Sequence, residues 1–376
     1  MFNRAVISQI EQDCFRGKAL IIYGARQCGK TTLVKELIKK TPAESIYLNC
    51  DEPDIRLLLA NRTSTELKLA IGKAELVVLD EAQRVENIGL VIKLLVDNYP
   101  HMQVIATGSS SFDLANQISE PLTGRNIVYQ LFPVAEMELA DSMSEIELRR
   151  TLESRLIYGS YPEILALEGL QSKKKQIRRI ASDYLFKDVM MLDQIRKPES
   201  LEKILQALAL QIGNLVSMQE LGTLTGLDKN TVSKYLDIFE KAFIVFSLRS
   251  FSRNLRKEIG KQKKYYFYDL GIRNSLINNF NPIELRADKG QIWENYLMVE
   301  RLKHNAYLPL DVNSYFWRTY DQQELDLVEE KDGHLYGFEF KYSSKSYKAP
   351  PAFIKAYPES TIKMISRDNY QGFVGR

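Results

Sequence analysis

The first third of the chain alternates between short apolar runs and amphipathic stretches. Residues 19–23 read Ala-Leu-Ile-Ile-Tyr and residues 76–79 read Leu-Val-Val-Leu; 45–49 and 103–107 are further strand-like runs, and all four lead into polar or glycine-containing stretches. Short, nearly unbroken apolar runs predict strands buried on both faces, as in a parallel sheet. Residues 32–38 have helical spacing, so the region reads as an α/β layer structure. From 144 to about 210 the strand pattern disappears. Leu148, Leu152, Arg155 and Leu156 keep a three-to-four spacing, as do Tyr184, Leu185, Val189 and Leu192, and a helical segment is expected.

Residues 213–250 return to short helices. Ser217 is placed to cap one, Gly226 to end it and Asp228 to cap the next. In that second helix Val232, Leu236 and Phe239 share an apolar face, with Lys229, Asn230, Ser233 and Lys234 mainly on the other. Two strand-like runs follow, 243–248 and 265–268. These are the elements of a winged helix-turn-helix, whose exposed helix N-terminus can enter the DNA major groove. Winged helices also serve as protein contacts. Between the two runs, Arg253, Arg256, Lys257, Lys261, Lys263 and Lys264 stand against Glu258 alone, a basic wing suited to phosphate contact.

The last hundred residues alternate with period two over 324–328 and 335–342, separated by Lys331-Asp332-Gly333-His334. Asp-Gly between alternating runs predicts a two-residue hairpin turn. That register places Asp326 opposite Glu339 and Glu324 opposite Lys341, all on one face. Facing carboxylates repel, and a divalent cation between them reverses the sign, so Asp326 and Glu339 are candidate ligands for Mg²⁺ or Mn²⁺.

Composition adds limits. The chain has 376 residues, so two or three domains are expected. The net charge of +3 is too small to argue for nucleic acid by itself, leaving only local patches. No apolar run is long enough to cross a membrane, and the first residues lack the apolar core of a signal peptide. Cys14, Cys28 and Cys50 form neither a disulfide framework nor a metal cluster, and a reducing cytoplasm is the expected setting.

Residues 24–31, after the first strand, carry the most specific chemistry. They read GARQCGKT and fit G-x-x-x-x-G-K-[ST]. Gly24, Ala25, Arg26, Gln27, Cys28, Gly29, Lys30, Thr31 and Thr32 form a candidate ATP cradle. The glycines let backbone N–H groups approach phosphate, and Lys30 adds charge at the β/γ-phosphates. The Thr31 hydroxyl is a candidate Mg²⁺ ligand, and the following helix aims its N-terminus at the same anion. Cys28 is either an oxidation-sensitive thiol or a small residue filling a variable position.

The run 76–79 ends in Asp80-Glu81, a Walker B pattern. Asp80 is placed at the carboxyl edge of the sheet to hold Mg²⁺, and Glu81 to activate the attacking water. At the end of the run 103–107, Thr107 or Ser109 is a candidate for orienting that water; the serines 109–111 read equally as a helix cap. Arg125, in Leu122-Thr123-Gly124-Arg125, is either a surface charge or an arginine finger, acting on its own site or, in a homo-oligomer, on that of a second copy of the chain.

The ordered motifs GARQCGKTTL, LVVLDEAQ, ATGSSS, LTGRN and YGSYPEIL resemble a family of bacterial and archaeal AAA-type ATPases fused to a C-terminal domain of unknown function. The resemblance runs over essentially the whole chain. It implies an additional-strand P-loop fold, Asp80 and Glu81 as Walker B residues, and Arg125 as a finger. Separately, Asp326 followed by Glu339-Phe340-Lys341 on the adjoining strand resembles the PD-(D/E)XK nuclease core, with Leu325 where that core often has proline. Glu294, in a helical stretch upstream, fits the place of its third acidic residue. The resemblance implies Asp326 and Glu339 as metal ligands, Glu294 assisting, and Lys341 orienting water.

The expected organisation is an ATPase core at 1–142, a helical lid at 143–210, a winged helix-turn-helix at 211–278 and a nuclease-like α/β domain at 279–376. The leading reading is an ATP-driven, Mg²⁺-dependent protein acting on DNA. Its rival is a nucleotide-switched scaffold whose C-terminal domain cuts nothing. A metabolic kinase is weaker, because a winged helix has no role in one.

Overall fold

The computed structural model of the chain describes residues 2–108, 121–184, 198–252, 263–308, 310–343 and 347–375. The chain divides into two compact units, one built on Met1–Pro133 and the other on Val134–Leu185, Gln194–Glu240 and Ile244–Arg376.

In the first unit the apolar runs are strands. They are β1 (Ala19–Gly24), β2 (Ser45–Asn49), β3 (Leu76–Asp80) and β4 (Gln103–Gly108), with β5 (Asn126–Leu131) beyond them. Every residue of β1, β3 and β4 is buried, which is why those runs contain so little polar alternation. The sheet order is β2-β3-β4-β1-β5, all parallel. β4 therefore lies between the strand that leads into residues 24–31 and the strand that ends at Asp80. This is the additional-strand arrangement of P-loop ATPases, and it brings the ends of β1, β3 and β4 to one edge. One face of the sheet packs on a core that includes Ile21, Val77, Leu79, Val104, Ile92 and Leu95.

The second unit begins with helices. Ser144 and Glu147 form a capping box on helix Glu145–Tyr158, and Leu148, Leu152, Arg155 and Leu156 are buried as their spacing predicts. That helix ends at Gly159, whose φ of 81° suits glycine. A β-carbon there would lie 2.0 Å from Asp269 Oδ1. The Asp269 carboxylate instead accepts the N–H groups of Ser160 (2.7 Å), Gly271 (2.8 Å) and Ile272 (3.2 Å). The segment YGSYPEIL is thus a docking turn for the start of helix Leu270–Leu276, and Asn274 adds bonds to the carbonyls of Leu156 and Ile157.

Ser217 caps helix Met218–Thr225, Gly226 ends it in the left-handed region, and Asp228 accepts the N–H groups of Asn230 and Thr231 at the start of helix Lys229–Lys241. The next strands are β7 (Val245–Ser250) and β8 (Lys263–Phe267), antiparallel to each other, with the short β6 (Leu215–Val216) on β8. β7 begins two residues later than expected because Phe243 takes a positive φ. β9 (Asn313–Arg318), β10 (Glu324–Lys331), β11 (His334–Phe340) and β12 (Thr361–Ile365) complete a seven-stranded sheet ordered β12-β11-β10-β9-β7-β8-β6. Because β7 pairs in parallel with β9, the segments expected as separate domains at 211–278 and 279–376 share one sheet.

The β10–β11 turn has Asp332 at φ 51° and Gly333 at φ 79°, the conformation the Asp-Gly pair favours. The ladder runs from Lys331–His334 to Leu327–Phe338, in the register expected, and stops one step short of Asp326 and Glu339. On its other side β10 has a register shift against β9 between Leu325 and Val328, so both residues join one apolar cluster that strict alternation would have split.

Candidate functional site

Gly29 stands at φ 103° and opens helix Lys30–Lys40, so the last residues of the loop and the first turn of the helix present their backbone at the sheet edge. Gly24 has a different reason to lack a side chain. A β-carbon there would lie 2.2 Å from the Leu131 carbonyl oxygen of β5. The Lys30 ammonium is buried and donates to the carbonyls of Gly24 (2.9 Å) and Ala25 (3.0 Å), folded back over the loop. Cys28 is fully buried, and burial raises its thiol, so the oxidation-sensitive reading loses its accessible thiolate.

Three hydroxyls converge on Asp80. Thr31 donates to Oδ2 at 2.8 Å, Tyr47 to Oδ2 at 2.5 Å and Thr107 to Oδ1 at 2.5 Å. Burial, with the Asp80 hydrogen bond next, raises the Tyr47 phenol. Thr107 also accepts the Glu81 N–H at 3.1 Å. Both bonds of the Thr107 hydroxyl go to the Asp80-Glu81 pair; Ser109 lies outside the described residues. Glu81 sits at φ 54°, and its carboxylate accepts the Gln83 amide at 2.6 Å. Neither Tyr47 nor Gln83 is among the residues expected at this site. Tyr47 becomes visible only once β2 is paired beside β3, whereas Gln83 was in plain view as the last letter of the DEAQ run.

The donor set suits Mg²⁺: a hydroxyl and a carboxylate, both hard oxygen ligands, already within hydrogen-bonding distance of each other.

Arg125 lies elsewhere. Its carbonyl accepts the Ala19 N–H at 2.9 Å, at the start of β1, and its guanidinium donates to Asp97 at 2.6 Å. The loop 24–31 begins at the other end of β1, about 17 Å away at ordinary strand rise. Action of Arg125 on the nucleotide of its own domain is excluded by this placement.

In the second unit, Glu294 of helix Lys289–Tyr307 lies close enough to Asp326 and Glu339 for their charges to interact, and Glu324, expected on the same face, joins them. Each carboxylate already has partners. Tyr266 donates to Glu294 at 2.7 Å, and Lys264 lies 3.2 Å from the same oxygen and bonds Glu324 as well. Arg318 is 3.4 Å from Glu324, the Phe340 N–H donates to Asp326 at 2.7 Å, and Lys341 holds Glu339 at 2.5 Å. Burial, then Glu294 and Glu339, push the Asp326 carboxyl well above its usual range. Burial works against the charge of Lys264, yet Glu294, Asp326 and Glu324 hold its ammonium above the usual lysine range.

Lys264 is thus a correction. Expected as a DNA-contacting residue of the wing, it is only 2% exposed and its charge is spent inside the protein. Lys341, expected to orient water, sits on Glu339. Among the described residues no set of three or more His, Cys, Asp or Glu side chains is arranged to hold a metal ion. The donors beside Lys264 and Lys341 do not fit the divalent ion that the nuclease resemblance implies.

Of the other candidate DNA contacts, Lys229, Asn230 and Lys234 are exposed, and Ser233 and Lys263 are half-buried. Arg253, Arg256, Lys257 and Lys261 lie outside the described residues. Among the described residues no helix is long and apolar enough to cross a membrane.

Residues 16–140 match a family described as an AAA domain. Residues 149–282 and 289–371 match two families described as domains of unknown function, DUF8612 and DUF4143. The chain is 27% identical over 347 residues to an uncharacterized protein of Mycobacterium tuberculosis, covering 91% of this chain and 74% of that one. It is 24% identical over 386 residues to an uncharacterized protein of Methanocaldococcus jannaschii, covering 97% and 83%. A Walker-type ATPase of Pyrococcus abyssi is similar in structure, with a TM-score of 0.48, 17% identity, and 74% and 96% of the two chains covered. The N-terminal unit is a P-loop ATPase domain.

Proposed function

We propose that this protein is a Mg²⁺-dependent ATP hydrolase that acts on DNA through the exposed face of helix Lys229–Lys241. The observation that carries the hydrolase half is the convergence of Thr31, Tyr47 and Thr107 on Asp80, with Glu81 fixed beside it. The backbone N–H groups that open helix Lys30–Lys40 bind the phosphates, and the Lys30 ammonium exchanges its two carbonyls for phosphate oxygens. Thr31 and Asp80 would hold Mg²⁺, which would supply positive charge at the phosphates. Glu81 accepts a proton from water as its oxygen bonds the γ-phosphorus and the bond to the β–γ bridging oxygen breaks. Gln83 donates to the Glu81 carboxylate and so fixes its orientation. Arg125 serves the nucleotide of a second copy of the chain.

Support for the DNA half is the order of two short helices, Met218–Thr225 and Lys229–Lys241, followed by an antiparallel strand pair, the arrangement of a winged helix-turn-helix. The C-terminal segment keeps the nuclease-like order of Glu294 on a helix and Asp326 and Glu339 on neighbouring strands. With Lys264 and Lys341 on these carboxylates, the non-cleaving reading is preferred for it.

ATP turnover with and without duplex DNA tests the proposal. Wild type hydrolyses ATP faster with DNA, Lys30→Ala binds no nucleotide, and Glu81→Gln binds it while turning over about 100-fold more slowly or worse. Equal turnover in Glu81→Gln removes Glu81 as the base, and no retention of DNA at low salt sinks the DNA half.

A further inference from the structure

Lys264 is nine-tenths and more buried at a place where four carboxylates meet. Its ammonium reaches Glu294 and Glu324, and the Phe316 ring lies beneath it at 5.6 Å. The same strand, β8, bonds the same helix twice more. Tyr266 donates to Glu294, and the Phe267 N–H and carbonyl pair with the Asn295 side-chain amide at 2.8 and 2.9 Å. Arg318 and Lys341 serve Glu324 and Glu339. Three cations thus face four carboxylates, and the central one is a lysine from strand β8.

We propose that Lys264 is the resident cation of this cluster, taking the place a divalent ion would need, so that Glu294, Glu324, Asp326 and Glu339 form an ion-pair junction that clamps β8 to helix Lys289–Tyr307 and β10. The inference does not depend on the ATPase or DNA reading. A buried ammonium between carboxylates and a divalent ion cannot share one position, since each brings the charge the other would supply. The junction also gives the nuclease-like segment a purpose without cleavage: it holds the strand that follows the helix pair in fixed register with the C-terminal sheet. Removing the ammonium leaves buried like charges facing one another, and an added divalent ion is then the remaining way to neutralise them.

The test is thermal unfolding of the full chain, without nucleotide, in EDTA and in millimolar MnCl₂. Wild type should melt at the same temperature in both. Lys264→Met should melt about 10 °C lower in EDTA and recover part of that loss in MnCl₂. A MnCl₂ stabilisation of wild type that disappears in Glu339→Gln overturns the proposal, because an ion then binds the carboxylates with Lys264 in place. An unchanged melting temperature for Lys264→Met overturns it too. Should Lys264→Met fail to fold, the wild-type and Glu339→Gln titrations still decide.

Discussion

The Thr107 hydroxyl donates to Asp80 at 2.5 Å and accepts the Glu81 N–H at 3.1 Å. One side chain on β4 thus orients both acidic residues at the end of β3, and the order β3-β4-β1 is what puts it there. Thr107→Val keeps the shape and removes both bonds. Because both observed bonds of Thr107 go to Asp80 and Glu81, its loss should act on positioning. We expect kcat to fall about 10- to 100-fold while nucleotide affinity stays within a few-fold. Steady-state turnover and equilibrium binding of a fluorescent ATP analogue separate the two, and a loss of affinity as large as the loss of rate contradicts a positioning role.

Arg125 is a charge at the wrong end of its own sheet. Hydrogen-bonded to Asp97 beside the start of β1, it is either a surface charge or a finger for the nucleotide of another copy. Arg125→Ala should lose most turnover, and so should Lys30→Ala. Mixing them should restore activity above either alone, because the Lys30→Ala copy donates an intact Arg125 to the other's intact loop. A mixture no more active than its parts rules out the finger.

Much of this is legible in the sequence, and what is not depends on residues distant along the chain. β1, β3 and β4 were visible because strands covered on both faces need no polar positions. The β10–β11 register followed from Asp332 and Gly333, since a two-residue turn leaves one pairing. Lys264 was not visible. It lies at the end of a basic run and reads as surface charge, and its burial depends on Glu294 and Glu324, thirty and sixty positions away. Arg125 directly precedes β5, which puts it at the amino edge of a parallel sheet. The junction of β7 with β9 left no local trace at all.

Asp269 gives a pH dependence with a definite sign. Burial raises its carboxyl to about 6, against the opposing pull of the Ser160 N–H. The folded state therefore holds this proton more tightly than the unfolded chain, whose aspartate titrates near 4. The associated stability, about 3 kcal/mol, is fully present below pH 4 and is lost as pH rises through 6. Asp269→Asn removes the titration and one bond to Ser160. Denaturant unfolding of both forms between pH 4.5 and 7 should show wild type losing ground to the variant as pH rises. A constant difference would mean that Asp269 is ionised throughout that range in the folded protein.

Lys229 and Lys234 face solvent at the start and middle of helix Lys229–Lys241, while Val232, Tyr235, Leu236 and Phe239 of the same helix are buried. Substituting the two lysines by alanine should therefore leave the fold intact. If both contact phosphate, each substitution forfeits about one released counterion, and the log–log dependence of DNA affinity on salt should become shallower by about 2. Affinity should fall alike for unrelated duplex sequences, because phosphate contacts carry no base information. ATP turnover without DNA should remain at the wild-type rate, whereas its stimulation by DNA should shrink. Fluorescence anisotropy across a salt series measures the slope. An unchanged slope with unchanged affinity would move DNA recognition off this helix, and the helix pair would then stand as a protein contact.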